Sequence, residues 1–215
     1  MAKTTAPLFG FGASGTLAKA IVFSKWKGRP YARRHVIPAN PQSTAQTLTR
    51  DVFSTATAIW KIAPTLFIEA WDRFATGQVL TGRNGFTGRF VSVLRAASDL
   101  TTMVFSPGAK GGLPPLTTAV VAGSTQLEVT VTVPAPPSGW TLTSVICAVI
   151  RDGAPATTTL YEVTAGEDVS SPYVVTLTGL TASVLYIVGA WTKWAKPDGS
   201  VAYGPSILDS GTPTA

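Results

Sequence analysis

Leu127-Glu128-Val129-Thr130-Val131-Thr132-Val133 alternates apolar and polar residues without a break. Successive side chains of a strand point to opposite faces of a sheet, so this stretch predicts a strand with one face buried and the other in water. Downstream, Val145-Ile146-Cys147-Ala148-Val149-Ile150 is uninterruptedly apolar and predicts a more deeply buried strand. Tyr173, Val175 and Leu177 alternate again, and Leu185 to Trp191 and Val201 to Ile207 close the series. Pro136-Pro137-Ser138-Gly139, Arg151-Asp152-Gly153 and Lys196-Pro197-Asp198-Gly199 supply turns between them. Short strands separated in this way predict an all-β sandwich over residues 116–215.

Upstream the period changes to that of a helix. Pro38-Ala39-Asn40-Pro41 offers Asn40 as an N-cap and Pro41 at the first helical position, ahead of Ala45, Leu48, Val52, Ala56 and Ile59 at three- and four-residue spacing. A second helix is expected from near Pro64, with Phe67, Ala70, Trp71 and Phe74 on one face and Gly77 just beyond its end. Glu69 and Arg73, four apart on it, read as a surface ion pair. Gly82-Arg83-Asn84-Gly85 reads as a turn, followed by a third helical face of Phe86, Phe90, Val93, Leu94 and Ala97. Ser106 to Pro115, rich in glycine and ending in a diproline, reads as a linker. The expectation is an α+β domain over 1–106, a Gly/Pro linker over 107–115 and the sandwich over 116–215.

Charge divides the chain as sharply as periodicity does. Residues 1–112 carry 14 Lys/Arg and 4 Asp/Glu, whereas residues 113–215 carry 3 and 7. The densest cations, Lys25, Lys27, Arg29, Arg33 and Arg34, lie on a predicted β-hairpin with Gly28 in its turn and Trp26 and Tyr31 interleaved. Pro30 marks the returning arm as an edge. These seven side chains are the candidate partner-binding site, suited to an acidic protein surface or, as a less favoured alternative, to nucleic acid. A solvated edge protected by its own charge is the plainer account of the same cluster.

Catalytic chemistry is short of parts. Gly10-Phe11-Gly12-Ala13-Ser14-Gly15 fits the spacing of a dinucleotide-binding loop, but only Ala6-Pro7-Leu8-Phe9 precedes it and no carboxylate follows near Arg33 and Arg34. His35 is the single histidine, and it sits beside two arginines. Cys147 is the single cysteine, so no internal disulfide forms and a core thiol is expected. No catalytic residue, metal ligand or cofactor is assigned. With no apolar leader after Met1 and no span-length apolar run, the expectation is a chain made in the cytoplasm and not membrane-bound.

Two resemblances extend this reading. Leu177-Thr178-Gly179-Leu180-Thr181-Ala182-Ser183-Val184-Leu185-Tyr186, with Val188-Gly189-Ala190-Trp191 and Tyr203-Gly204-Pro205-Ser206, resembles the end of a fibronectin type III domain. That resemblance implies a corner in which the hydroxyl of Tyr186 ties down backbone near Leu180. From Phe9 to Leu100, the pattern Val22-Phe23-Ser24, Lys27-Gly28-Arg29, Arg33-Arg34, Ile37-Pro38-Ala39-Asn40-Pro41, Gln46, Arg50, Phe53, Trp60 and Trp71 resembles a family of small proteins encoded among structural genes of tailed bacteriophages. It implies a virion component present in multiple copies, with the major capsid protein or another virion protein as partner. A capsid decoration or cement protein is the role expected. A head-to-tail or tail accessory protein, or a nucleic-acid-binding accessory, is the alternative.

Overall fold

The computed structural model describes residues 2–3, 14–37, 39–40, 42–97, 102–152 and 163–215. The chain divides into two compact units, Met1–Ser43 and Thr44–Ala215. The first is a small antiparallel sheet of β1 (Ala2–Lys3), β2 (Gly15–Leu17), β3 (Ile21–Trp26) and β4 (Arg29–Arg34), in the order β1-β4-β3-β2. Lys27 and Gly28 both take positive φ, 48° and 77°, the backbone that lets a two-residue turn match the twist of its strands.

The second unit has three layers. Helices α1 (Thr44–Ile62), α2 (Thr65–Ala75) and α3 (Gly82–Ala97) form the first. The middle layer is a sheet built from β5 (Pro107–Ala109), β12 (Val201–Pro205), β11 (Tyr186–Ala195), β8 (Thr141–Arg151) and β9 (Val163–Asp168), with β13 (Ile207–Gly211) also pairing with β11. The third is a sheet of β10 (Tyr173–Thr178), β7 (Gln126–Thr132) and β6 (Thr117–Gly123). The two sheets make a fibronectin type III-like sandwich over about half the chain.

Two cores result, and β8 serves both. Val145, Cys147 and Val149, with Val188 beside them on β11, face Leu127, Val129, Val131, Val175 and Leu177 between the sheets. Ile146, Ala148 and Ile150 point the other way, into a cluster with Val52, Ile59, Phe67, Trp71, Phe86, Phe90 and Leu94 from the helices. This is why the run from Val145 to Ile150 has no period: neither face of the strand meets water. Phe105 lies at the centre of the helix-side core, its ring 6.2 Å from that of Phe67 and 6.5 Å from that of Trp191, while its carbonyl accepts the Trp71 indole N–H at 2.9 Å. The ring fits because Gly189 lies beneath it; a Cβ there would overlap it.

Four expectations are corrected. The segment 107–115 is not a free linker, and the helices do not form a separate domain from the sandwich. Pro107–Ala109 pairs with β12, the Ser106 hydroxyl donates to the Gly204 carbonyl at 2.8 Å, and the Leu113 carbonyl accepts from Trp194 Nε1 at 3.2 Å and from the Thr192 hydroxyl. Glycine serves close approach here, since a Cβ at Gly112 would collide with the Tyr203 backbone. The first helix begins at Thr44, directly after the favourable cap residue Ser43, so Asn40 is not its N-cap; Pro41 lies outside the described residues. Ala45 and Leu48 on its first turns stay exposed. Finally, Gly82 to Gly85 are the opening turn of α3 rather than a loop, capped by Thr81, whose side-chain oxygen accepts from the Asn84 amide at 3.3 Å.

The corner inferred from the fibronectin-like spacing is present. Tyr186 is buried and its hydroxyl accepts the Thr181 amide N–H at 2.9 Å, next to buried Leu180. Leu180 is held in turn by its own N–H, which donates to the Thr125 carbonyl at 3.0 Å.

Candidate interaction surface

The register of the first sheet sorts the seven candidate residues. Val22 pairs with Arg33, Ser24 with Tyr31 and Trp26 with Arg29, which places Trp26, Arg29, Tyr31 and Arg33 on one face. Lys25 pairs with Pro30 and Ile21 with Arg34, so Lys25 and Arg34 belong to the other. Lys27 sits in the turn, its ammonium 5.0 Å from the centre of the Trp26 ring. The cationic cluster is thus two surfaces rather than one, and adjacent Arg33 and Arg34 point apart. Trp26 is 65% exposed, an unusual state for the largest apolar side chain in the absence of a partner. Among the described residues no carboxylate forms an ion pair with these cations.

Of the glycine motif, Ser14 and Gly15 are described. Gly10 to Ala13 lie outside the described residues, and Gly15 enters strand β2 rather than a helix. His35 donates its backbone N–H to the Ala20 carbonyl at 2.7 Å, extending the hairpin. Cys147 is buried, and burial pushes its thiol far above the ordinary range, so it stays protonated and unreactive. Among the described residues no group of three or more His, Cys, Asp or Glu gathers as a metal site would require, and no helix is long and apolar enough to cross a membrane.

A second polar cluster lies where α2 meets β11 and β12, and the sequence reading missed it. Glu69 forms its ion pair with Lys193, at 3.4 Å, rather than with Arg73 as expected, and its carboxylate also accepts the Tyr203 hydroxyl at 2.9 Å. Burial, then the hydrogen bond and charge of Glu69, push the Tyr203 phenol upward, which keeps it a donor. The signal was weak because Lys193 and Tyr203 are more than 120 residues from Glu69. The arrangement fastens a helix to a sheet. Asp168 accepts from the Val174 amide at 2.9 Å and the Ser170 amide at 3.1 Å. Those bonds, Val174 first, hold its carboxyl below the usual range.

No family model matches the chain, and no curated protein matches it. Among solved structures it is similar to a myokine (11% identity, TM-score 0.37, covering 49% of this chain and 100% of that one). It is also similar to a computationally redesigned β-sandwich protein (19%, 0.34, 47% and 90%) and to a fourth fibronectin type III domain from human (15%, 0.31, 48% and 78%). The sandwich assignment itself rests on the strand order and the Tyr186 corner.

Proposed function

We propose that this chain is a bacteriophage virion structural protein without enzymatic activity, most economically a capsid decoration or cement protein. Its basic N-terminal sheet anchors it to the major capsid protein or another virion protein, and the sandwich unit projects from the particle. The observation that carries this reading is the separation of charge from core: residues 1–43 hold seven Lys/Arg and no Asp/Glu, while the described buried core lies entirely within Thr44–Ala215. A cationic sheet beside a self-sufficient unit suits attachment by one part and display of the other. The resemblance of the N-terminal half to phage structural proteins points the same way. Exposed Trp26 among cations favours one second reading, a nucleic-acid-binding accessory protein, since an aromatic ring beside guanidinium groups can stack a base and neutralise phosphate.

Purified particles should contain the chain in many copies, and Arg33→Glu with Arg34→Glu should abolish its co-sedimentation with particles lacking it, while the sandwich unit folds as before. Undiminished occupancy of the doubly reversed protein in moderate salt would remove the basic sheet as anchor. Salt-sensitive binding to DNA without any association with particles would establish the second reading instead.

A further inference from the structure

The face of the N-terminal sheet opposite Trp26 and Tyr31 is an apolar strip with a cation at each end. Leu17 pairs with Ile21 and Gly15 with Phe23, and Phe23 pairs with Ala32, so Leu17, Ile21, Phe23, Ala32 and Pro30 share this face. Arg34 closes it beside Ile21 and Lys25 closes it beside Pro30. Leu17 and Ile21 are 55% and 40% exposed, and no described residue of Met1–Ser43 is buried. A sheet this small gains its stability by packing an apolar face against something. Scattered apolar residues on a surface need no explanation, but a contiguous strip does in a unit none of whose described residues is buried.

We infer that this strip docks on an acidic protein surface, an apolar ridge flanked by carboxylates that meet Lys25 and Arg34. Charge selects this occupant. A second copy of the sheet would bring two such strips face to face, each carrying Lys25 and Arg34 in a segment, 1–43, that has seven Lys/Arg and no Asp/Glu. Nucleic acid would satisfy the cations but presents nothing to Leu17, Ile21 and Ala32; its stacking bases suit the Trp26–Tyr31 face. The inference rests on the anchoring role proposed above only for where the partner resides, and it adds which face binds and what the partner looks like.

The test uses the full chain and three probes of equal charge: an alternating Glu/Leu peptide, poly-glutamate and oligo(dT). The Glu/Leu peptide should bind about tenfold tighter than poly-glutamate, the worth of a few buried aliphatic groups. Ile21→Thr with Phe23→Thr should erase that margin and leave poly-glutamate binding unchanged, whereas Trp26→Ser with Tyr31→Ser should preserve it. Because the first pair of changes removes apolar surface from a small sheet and can unfold it, carbene footprinting of the unaltered chain provides a second reading: Leu17, Ile21 and Phe23 should label when free and become protected on adding the Glu/Leu peptide. Tighter binding of oligo(dT), a margin that follows Trp26 and Tyr31, concentration-dependent dimers that bury the strip, or protection of the strip by the chain itself in the free protein would each overturn the inference. Failure of the chain to join particles, with the peptide margin intact, would refute the virion assignment and leave this one standing.

Discussion

Replacing Phe105 with Ala tests whether helices and sandwich form one cooperative unit. The ring is fully buried, touches Phe67 and Trp191, and occupies the hollow above Gly189. Truncating a buried phenylalanine costs about 3–5 kcal/mol, the transfer of the lost atoms plus the cavity they leave. For a unit of this size each kcal/mol moves the melting temperature by about 2–4 °C, so Phe105→Ala should melt about 6–20 °C lower. Urea unfolding followed by tryptophan fluorescence and by far-ultraviolet circular dichroism should give coincident transitions, shifted together. Gly189→Ala sharpens the test. Its new methyl should overpack the intact core by about 1–3 kcal/mol, yet cost less in the Phe105→Ala background, where the ring it strikes is gone. A loss below about 1 kcal/mol for Phe105→Ala, or a helical transition that moves while the sandwich transition stays put, would refute the shared core.

Three further outcomes follow from particular contacts. Tyr186→Phe leaves the Thr181 amide without its phenol partner and should cost about 1 kcal/mol or more in urea denaturation; unchanged stability would argue against the corner. Asp168 has a folded pKa below its unfolded value of about 3.9, so its contribution is complete above that value and is lost as pH falls through the folded pKa. Asp168→Asn should therefore flatten the decline of stability below about pH 4, and acid profiles parallel to those of the unaltered protein would contradict this. Brief treatment with a non-specific protease should cut between Val36 and Ser43, where the described residues are all exposed, before it cuts between Ser106 and Pro115; early cleavage at the latter would restore the linker reading.

The strands of the sandwich were legible because each half-buried strand writes its two faces into the sequence, as Leu127 to Val133 does. The corner was legible because Leu180 and Tyr186 are local partners. Docking of the helices was not, because the unbroken run from Val145 to Ile150 announces burial on both faces without saying what covers the second. The segment from Ser106 to Pro115 misled for a related reason: glycine suits a free linker and a tight approach equally, and only the neighbouring Tyr203 backbone distinguishes them. In the candidate surface, residue types were readable and their division was not. Arg33 and Arg34 look like one patch until the turn at Lys27 and Gly28 sets the pairing that parts them.

The double burial of β8 changes what holds that strand in place. In most sheets a slip of one residue is prevented because it would carry the apolar set into water. Here both destinations are dry, so hydrophobicity hardly distinguishes one alignment from the next. Size must do so instead: Ala148 lies opposite Gly189, and this pair of small residues makes the hollow that receives Phe105. Sliding the strand by one would set Cys147 or Val149 there and present a bulkier floor to the ring. The alignment of the middle strand is thus read from the helix side of the sheet, by an aromatic residue that precedes the whole sandwich in the chain. Enlarging Ala148 should therefore give a protein that still buries its apolar residues but samples more than one strand register.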